Sequence, residues 1–181
     1  MVLLMNELEF KPSDLVEVPI GDLTTASMNW SVAQAVAEPI AVSIWTHDDK
    51  SELQVYISSQ NRTDHMGEPL IWSPIKHYDQ IGSIQFALGL SLMTEDGANW
   101  RAWHFSVPDI DHVAADPSLA LCLAAIARRF GHTVSVPRQL QYPQQFLQEL
   151  KLEESRVAAE SQLDVIEDAQ YGIGESLARY G

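Results

Sequence analysis

Two pairs of β-prone segments, each pair joined by a short polar turn, constrain the fold of this chain most strongly. In the first pair, residues 40–45 are apolar and β-branched, residues 53–57 alternate in polarity, and the polar turn 47–51 lies between them. In the second pair, the turn 94–99 separates strand candidates at 83–93 and 100–107. Strands joined by turns this short run antiparallel. The sequence therefore predicts two β-hairpins, with further strands at 15–18 and 133–136.

Two helices are predicted within this β-rich part of the chain. Asp22 and Thr24 or Thr25 can cap the first helix, whose apolar residues recur at helical spacing until Pro39. The second is bounded by Asp116-Pro117, which suits a cap and first helical position, and by Gly131, with two arginines near its negative end. Its apolar stripe consists of Leu119, Leu123, Ile126 and Phe130.

The last part of the chain has a different character. A third helix is predicted from Pro143 to about Ala169, in a segment rich in Gln, Glu, Leu and Ala. Strands and helices do not alternate regularly, so a doubly wound sheet is not indicated. We therefore predict an α+β fold, a mostly antiparallel sheet with two to three helices packed on it, comprising residues 1–142. An acidic helical extension, residues 143–181, follows.

Charge restricts the partners. The 181 residues include 11 basic and 25 acidic side chains, a formal net charge of -14. Residues 143–181 hold three of these bases and eight of the acids. Binding to duplex nucleic acid or to an anionic membrane surface requires cations, so we expect neither partner. No segment reads as a membrane span or a signal peptide, and we expect a cytoplasmic protein.

Common catalytic motifs are absent from the sequence. We find no phosphate-binding glycine loop, no dinucleotide fingerprint, no zinc-protease motif and no serine-hydrolase elbow. The segment 109–112 (Asp-Ile-Asp-His) could offer a metal ligands, but such acidic turns are common on acidic surfaces, and we predict neither a metal nor a cofactor. Cys122, the only cysteine, falls near the apolar stripe of the second helix, so we expect a buried, inert thiol. We expect a protein without catalytic activity. A hydrolase that uses His77 with Asp79, or a metal held by an acid–histidine turn, is an alternative.

One segment differs from ordinary core or surface sequence. Residues 69–82 combine two large aromatic residues, two prolines, a serine and a glutamine between predicted sheet elements, and they read as an irregular loop. Period-two alternation places Arg101 and Trp103 on one face of the next strand, and Trp100 and Ala102 on the other. These aromatic side chains either fill the core or form a binding site. The candidate ligand- or partner-binding residues are Trp72, Ser73, Pro74, Tyr78, Gln80, Gly82, Arg101 and Trp103.

The same segment carries a family resemblance. Residues 72–82 (Trp-Ser-Pro, three residues, then Tyr-Asp-Gln-Ile-Gly) resemble a motif of the NinX-like family, small accessory proteins encoded by tailed phages. Segments 22–33, 100–102 and 124–137 are similar to the opening helix, the Trp-x-Ala segment and the closing helix and strand of that family, in the same order. The resemblance covers roughly residues 14–140. It implies a phage origin, no established catalytic activity and a function directed at the host.

Two functions follow as hypotheses. The first is an accessory protein that binds a host protein, with a basic one favoured by the acidic surface, and that inhibits antiviral defence in the host cytoplasm. The second is a binder that sequesters a small nucleotide-like immune signal, with aromatic stacking on the base and Lys76, Arg101 and Arg128 near its phosphates. Scattered large apolar residues in the C-terminal helix are also compatible with a homo-oligomer.

Overall fold

The computed structural model describes residues 8, 10–38, 40–47, 50–57 and 70–178. These residues belong to two compact units, Met1–Pro143 and Gln144–Gly181. The described strands are β1 (Leu15–Pro19), β2 (Ile40–His47), β3 (Lys50–Ile57), β4 (Leu70–Ile71), β5 (Leu90–Thr94), β6 (Trp100–His104), β7 (Val107–Ala114) and β8 (Thr133–Pro137). The described α-helices are α1 (Thr25–Ala35), α2 (Tyr78–Leu88), α3 (Pro117–Phe130), α4 (Arg138–Gln141) and α5 (Pro143–Ala178).

All strand pairings among the described residues are antiparallel. They form a β1–β8 ribbon, a β2–β3–β4 sheet and a β5–β6–β7 sheet. Both hairpins are confirmed: His47 pairs with Lys50 in the first, and the tip residues 48–49 lie outside the described residues. At the second turn the Asp96 carboxylate accepts the backbone N–H groups of Ala98 and Asn99, which lowers its pKa. The α+β fold predicted from the sequence is thereby shown.

Helix α3 is the central helix of the first unit. The Asp116 side chain accepts a hydrogen bond from the Leu119 N–H (2.9 Å), and Gly131 ends the helix at φ +84°, as the sequence predicts. The predicted apolar stripe describes the packing incompletely, because Phe130 remains 39% exposed. Buried instead are small residues on several sides of the helix, since α3 packs against α1, α2 and the β5–β6–β7 sheet: Ser118, Ala120, Cys122, Ala124, Ala125 and Ala127.

The strand predicted at 83–93 is wrong over its first half. Residues 78–88 form helix α2, and only Leu90–Thr94 form a strand. Ile81 and Ile84 lie three residues apart and are 3% and 0% exposed, so this helix buries one face on α3. Polar and apolar residues alternate at 83–88 as they do in a strand. In the helix that forms instead, the side chain of Phe86 is 91% exposed. The predicted irregular loop at 69–82 therefore ends at α2. The sequence prediction also missed strand β7. It placed one strand over residues 100–107, whereas the chain reverses at residues 105–106 and β7 begins at Val107.

The second unit consists of the greater part of α5, and the predicted C-terminal helical extension is confirmed. The helix continues to Ala178, beyond the predicted end near Ala169. Arg156 pairs with Glu153 and Glu160, one turn away on either side. Leu152 is 71% exposed on a largely polar surface.

Candidate functional site

Trp72, the first of the predicted binding residues, is a core residue. Its side chain is 1% exposed, and its indole Nε1–H donates a hydrogen bond of 2.9 Å to the backbone carbonyl of Asn29 in α1. The adjacent Pro74 is also fully buried. A buried indole whose N–H is satisfied by backbone contributes packing area and orientation. Trp72 thus attaches the segment before α2 to α1.

Ser73 and Gln80 complete this buried cluster. The Gln80 side chain accepts the backbone N–H of Ser73 (2.9 Å) and donates to the carbonyl of Ile71 (2.8 Å). The Ser73 hydroxyl accepts a hydrogen bond from the Asn29 amide (3.2 Å). Ser73 and Gln80 are 6% and 7% exposed. The Gln80 side chain thus satisfies backbone groups of the segment before α2, and the Ser73 hydroxyl satisfies the buried Asn29 amide.

The other predicted residues lie in different surroundings. Gly82 is exposed on α2, with no atom within 4 Å of the position that a Cβ would take. The side chain of Tyr78 lies outside the described residues. Arg101 and Trp103 are both half-buried in β6.

The predicted distribution of the β6 side chains is confirmed by the strand register. Ala102 pairs with Leu92 and His112, and it is 0% exposed on the face that packs on α3. Arg101 and Trp103 lie on the opposite face. This outer face, defined here as Ser91, Met93, Arg101, Trp103, Asp111 and Val113, is the candidate functional site. Exposed Asp109 lies next to it in β7, where the register with β6 is interrupted.

The outer face combines exposed apolar groups with charge. Met93 and Val113 are 51% and 46% exposed on the two edge strands, on either side of Arg101. Phe105, in the turn that follows β6, is 91% exposed. Isolated exposed apolar residues are common, but several on one sheet face are typical of interaction sites.

Arg101 connects the three strands electrostatically. One terminal guanidinium nitrogen lies 2.7 Å from the Glu95 carboxylate, and Nε lies 3.2 Å from Asp111 Oδ1. Because both side chains of each pair are more than a third exposed, solvent screens these ion pairs and they contribute little stability. They do fix the direction of the guanidinium. With Asp109 also exposed, carboxylates outnumber the single cation at and beside this face.

The structure does not bring the predicted binding residues together. Trp72, Ser73 and Gln80 join α1 and α2, which contact α3, whereas Arg101 and Trp103 lie on the sheet face directed away from α3. The sequence prediction also missed Met93, Asp111 and Val113 as parts of the face. Period-two alternation in β7 could have identified the last two, had that strand been predicted.

A second feature is an open cavity of about 420 Å³. Trp30 and Gln34 of α1 form one wall, and Phe130 at the end of α3 forms another. The β1–β8 ribbon contributes Glu17, Thr133, Val134 and Ser135. None of these lining residues is basic.

Acid and histidine side chains of β7 do not converge on a common point. Asp111 is exposed on the outer face, and Asp109 is exposed in the part of β7 where the register is interrupted. His112 lies on the inner face opposite Ala102. Burial lowers the pKa of His112, and nearby His132 lowers it further, while Asp111 acts in the opposite direction. Among the described residues, no group of three His, Cys, Asp or Glu side chains is placed to hold a metal ion.

Cys122 is buried, as predicted, and burial raises its thiol pKa to about 12. Native protein should therefore react with a thiol reagent such as DTNB at pH 8 only on unfolding, since the thiolate is the nucleophile. An unfolded thiol ionises near pH 8.5, so stability should also fall as pH rises from about 9 towards 12. Labelling time courses with and without urea measure the accessibility of the thiol. Because Cys122 is the only cysteine, all of the label reports on this residue. Rapid labelling of folded protein would contradict the assignment.

Comparison with known protein families and with curated proteins finds no match. None of the described helices combines the length and apolar character needed to cross a membrane.

Proposed function

We propose that this chain is a non-enzymatic binding protein whose outer sheet face docks a partner protein with a basic surface. The observation that carries the proposal is the composition of that face, where the exposed side chains of Met93 and Val113 flank Arg101, and Trp103 and Asp111 lie beside them. Aromatic and methionine side chains supply contact area in protein interfaces, and surrounding charges select the partner.

Electrostatics support a basic partner. The chain carries a net charge of -14, and at and beside the outer face the carboxylates of Glu95, Asp109 and Asp111 exceed the one arginine. A protein with such a field associates rapidly with positively charged proteins, in a manner sensitive to salt.

The resemblance to the NinX-like family supports a narrower proposal. If the chain is such a phage accessory protein, its partner is a host protein, and the expected consequence of binding is inhibition of an antiviral defence protein. The proposed host partner is supported by the sequence motifs at 22–33, 72–82, 100–102 and 124–137, and not by a contact in the structure.

The alternative hypothesis, a binder of a nucleotide-like signal, receives less support from the described contacts. The Arg101 guanidinium, a candidate phosphate contact, is already engaged by two carboxylates. The cavity near α1 contains a carboxylate and no cation, which disfavours phosphate groups.

The test uses the tagged full-length chain to capture proteins from a bacterial host lysate. The double variant Met93→Lys/Val113→Lys places two cations on exposed strand positions and should reduce capture of a basic partner at least about tenfold, by charge repulsion and loss of apolar contact. Expression of the wild-type chain should raise the plating efficiency of a phage restricted by the captured defence protein, and the variant should not.

Phe86→Lys is the matched control. Phe86 is a large apolar residue, 91% exposed, but it lies on α2 rather than on the outer face. Circular dichroism should show that both variants fold. The assignment to the outer face is contradicted if the double variant captures the same protein as wild type, or if Phe86→Lys abolishes capture equally.

A further inference from the structure

The cavity beside α1 has chemistry that points to a ligand of one class. Trp30 and Phe130 supply aromatic surface, and Glu17 supplies a carboxylate. Within the described part of the chain, no hydrogen-bond or ion-pair partner is assigned to Glu17. A cation placed against an aromatic ring and a carboxylate is attracted by both.

The fold fixes these groups in position. Glu17 and Ser135 are directly paired in the β1–β8 ribbon and share one face of it, so their side chains are neighbours. Trp30 and Gln34 are one helical turn apart on α1 and therefore lie on the same side of that helix. Gly131, at φ +84°, turns the chain from Phe130 into β8 and brings the end of α3 to the ribbon.

The remaining groups favour a donor-rich ligand. The Gln34 side-chain carbonyl and the hydroxyls of Thr133 and Ser135 can each accept an N–H hydrogen bond. Buried Val134 contributes apolar surface for the methylene part of a ligand. A volume of about 420 Å³ is in the range of small-molecule sites and accommodates a chain of several methylenes with its charged end.

We propose that this cavity binds an organic cation, a primary ammonium group carried on an aliphatic chain. The cation lies between the Trp30 ring and the Glu17 carboxylate. Its source is either a lysine side chain of a protein or a free aliphatic amine, because both present the same chemistry. The inference is independent of the partner proposed for the outer face, which lies on different strands.

The experiment is an NMR titration of the full-length, ¹⁵N-labelled protein at low salt with four probes. Nα-acetyl-lysine methylamide and putrescine represent the two sources, and Nα-acetyl-norleucine methylamide is the uncharged counterpart of the first. Nα-acetyl-glutamate methylamide tests whether any charge suffices. We expect saturable shifts of the Trp30 indole N–H and the Ser135 amide with the two ammonium probes only. Tighter binding of the capped lysine assigns the site to a protein side chain, and tighter binding of putrescine assigns it to a free amine.

Variants separate the contributions. Glu17→Gln is an isosteric change at an exposed strand position and should weaken ammonium binding about tenfold, in the range expected for a charge-assisted contact. Asp79→Asn removes the same charge at an exposed position on α2, away from the residues that line the cavity, and should change affinity by less than about twofold. Trp30→Phe should retain binding that Trp30→Leu loses. Equal shifts with the norleucine probe, or unchanged affinity in Glu17→Gln, would overturn the proposal.

Discussion

Trp72→Ala should lower the free energy of unfolding by about 3–5 kcal/mol, the range for truncating a buried tryptophan. The side chain is 1% exposed and its Nε1–H is bonded to Asn29, so truncation creates a cavity and also leaves the Asn29 carbonyl without this donor. Such a loss is a large fraction of the stability of a typical domain. Urea unfolding followed by circular dichroism measures it independently of the change in tryptophan fluorescence.

Two further substitutions make the prediction specific. Trp72→Phe retains most of the ring and should cost about 1–2 kcal/mol, through the lost hydrogen bond and a smaller cavity. Trp103→Ala removes the same side chain from the half-buried outer face and should cost less than Trp72→Ala. If Trp72→Ala is as stable as wild type but loses a binding partner, Trp72 is a contact residue, which is one of the two roles that the sequence left open.

Gln80→Leu should cost about 1–3 kcal/mol, although leucine is close in size and more apolar. The Gln80 amide satisfies the Ser73 N–H and the Ile71 carbonyl, at 2.9 and 2.8 Å. Leucine leaves the buried Ser73 N–H without this partner, which costs about 1–3 kcal/mol. The Ile71 carbonyl is partly exposed and can turn to water, so its loss adds little. The substitution thus separates the polar role of Gln80 from its packing role.

Gln85→Leu is the matched control for this prediction. Gln85 lies in the same helix, is only partly buried, and makes no side-chain hydrogen bond among the described residues. The same substitution there should change stability by less than about 0.5 kcal/mol. Equal effects at the two positions would show that Gln80 acts through helix propensity or general polarity, and not by satisfying the segment between β4 and α2.

These two predictions bear on the meaning of the NinX-like resemblance. The motif residues Trp72, Ser73 and Gln80 connect buried backbone groups to α1 and α2. Such contacts constrain residue identity for structural reasons, whatever ligand a protein binds. If both substitutions destabilise the chain as expected, these motif residues have a structural role, and the binding surface has to be sought elsewhere, on the outer face.

Local patterns in the sequence determined those parts of the structure whose energetics are local. The turn at residues 94–99 fixes a hairpin because Asp96 accepts the backbone groups that follow it. Helix α3 begins after Asp116 and ends at Gly131 because of similarly local interactions: the Asp116 side chain accepts the Leu119 N–H, and Gly131 caps the other end. Period two within β6 correctly separated Arg101 and Trp103 from Ala102.

Tertiary structure decided what local patterns leave ambiguous. Residues 83–88 alternate like a strand, but packing of Ile81 and Ile84 on α3 selects a helix. Burial of Trp72 likewise depends on α1, whose Asn29 is distant in sequence. The outer face is formed by three strands in register, and the cavity by α1, α3 and a ribbon that joins the two ends of the first unit. A single segment cannot show which of its faces another segment covers, because burial is a property of the packed chain.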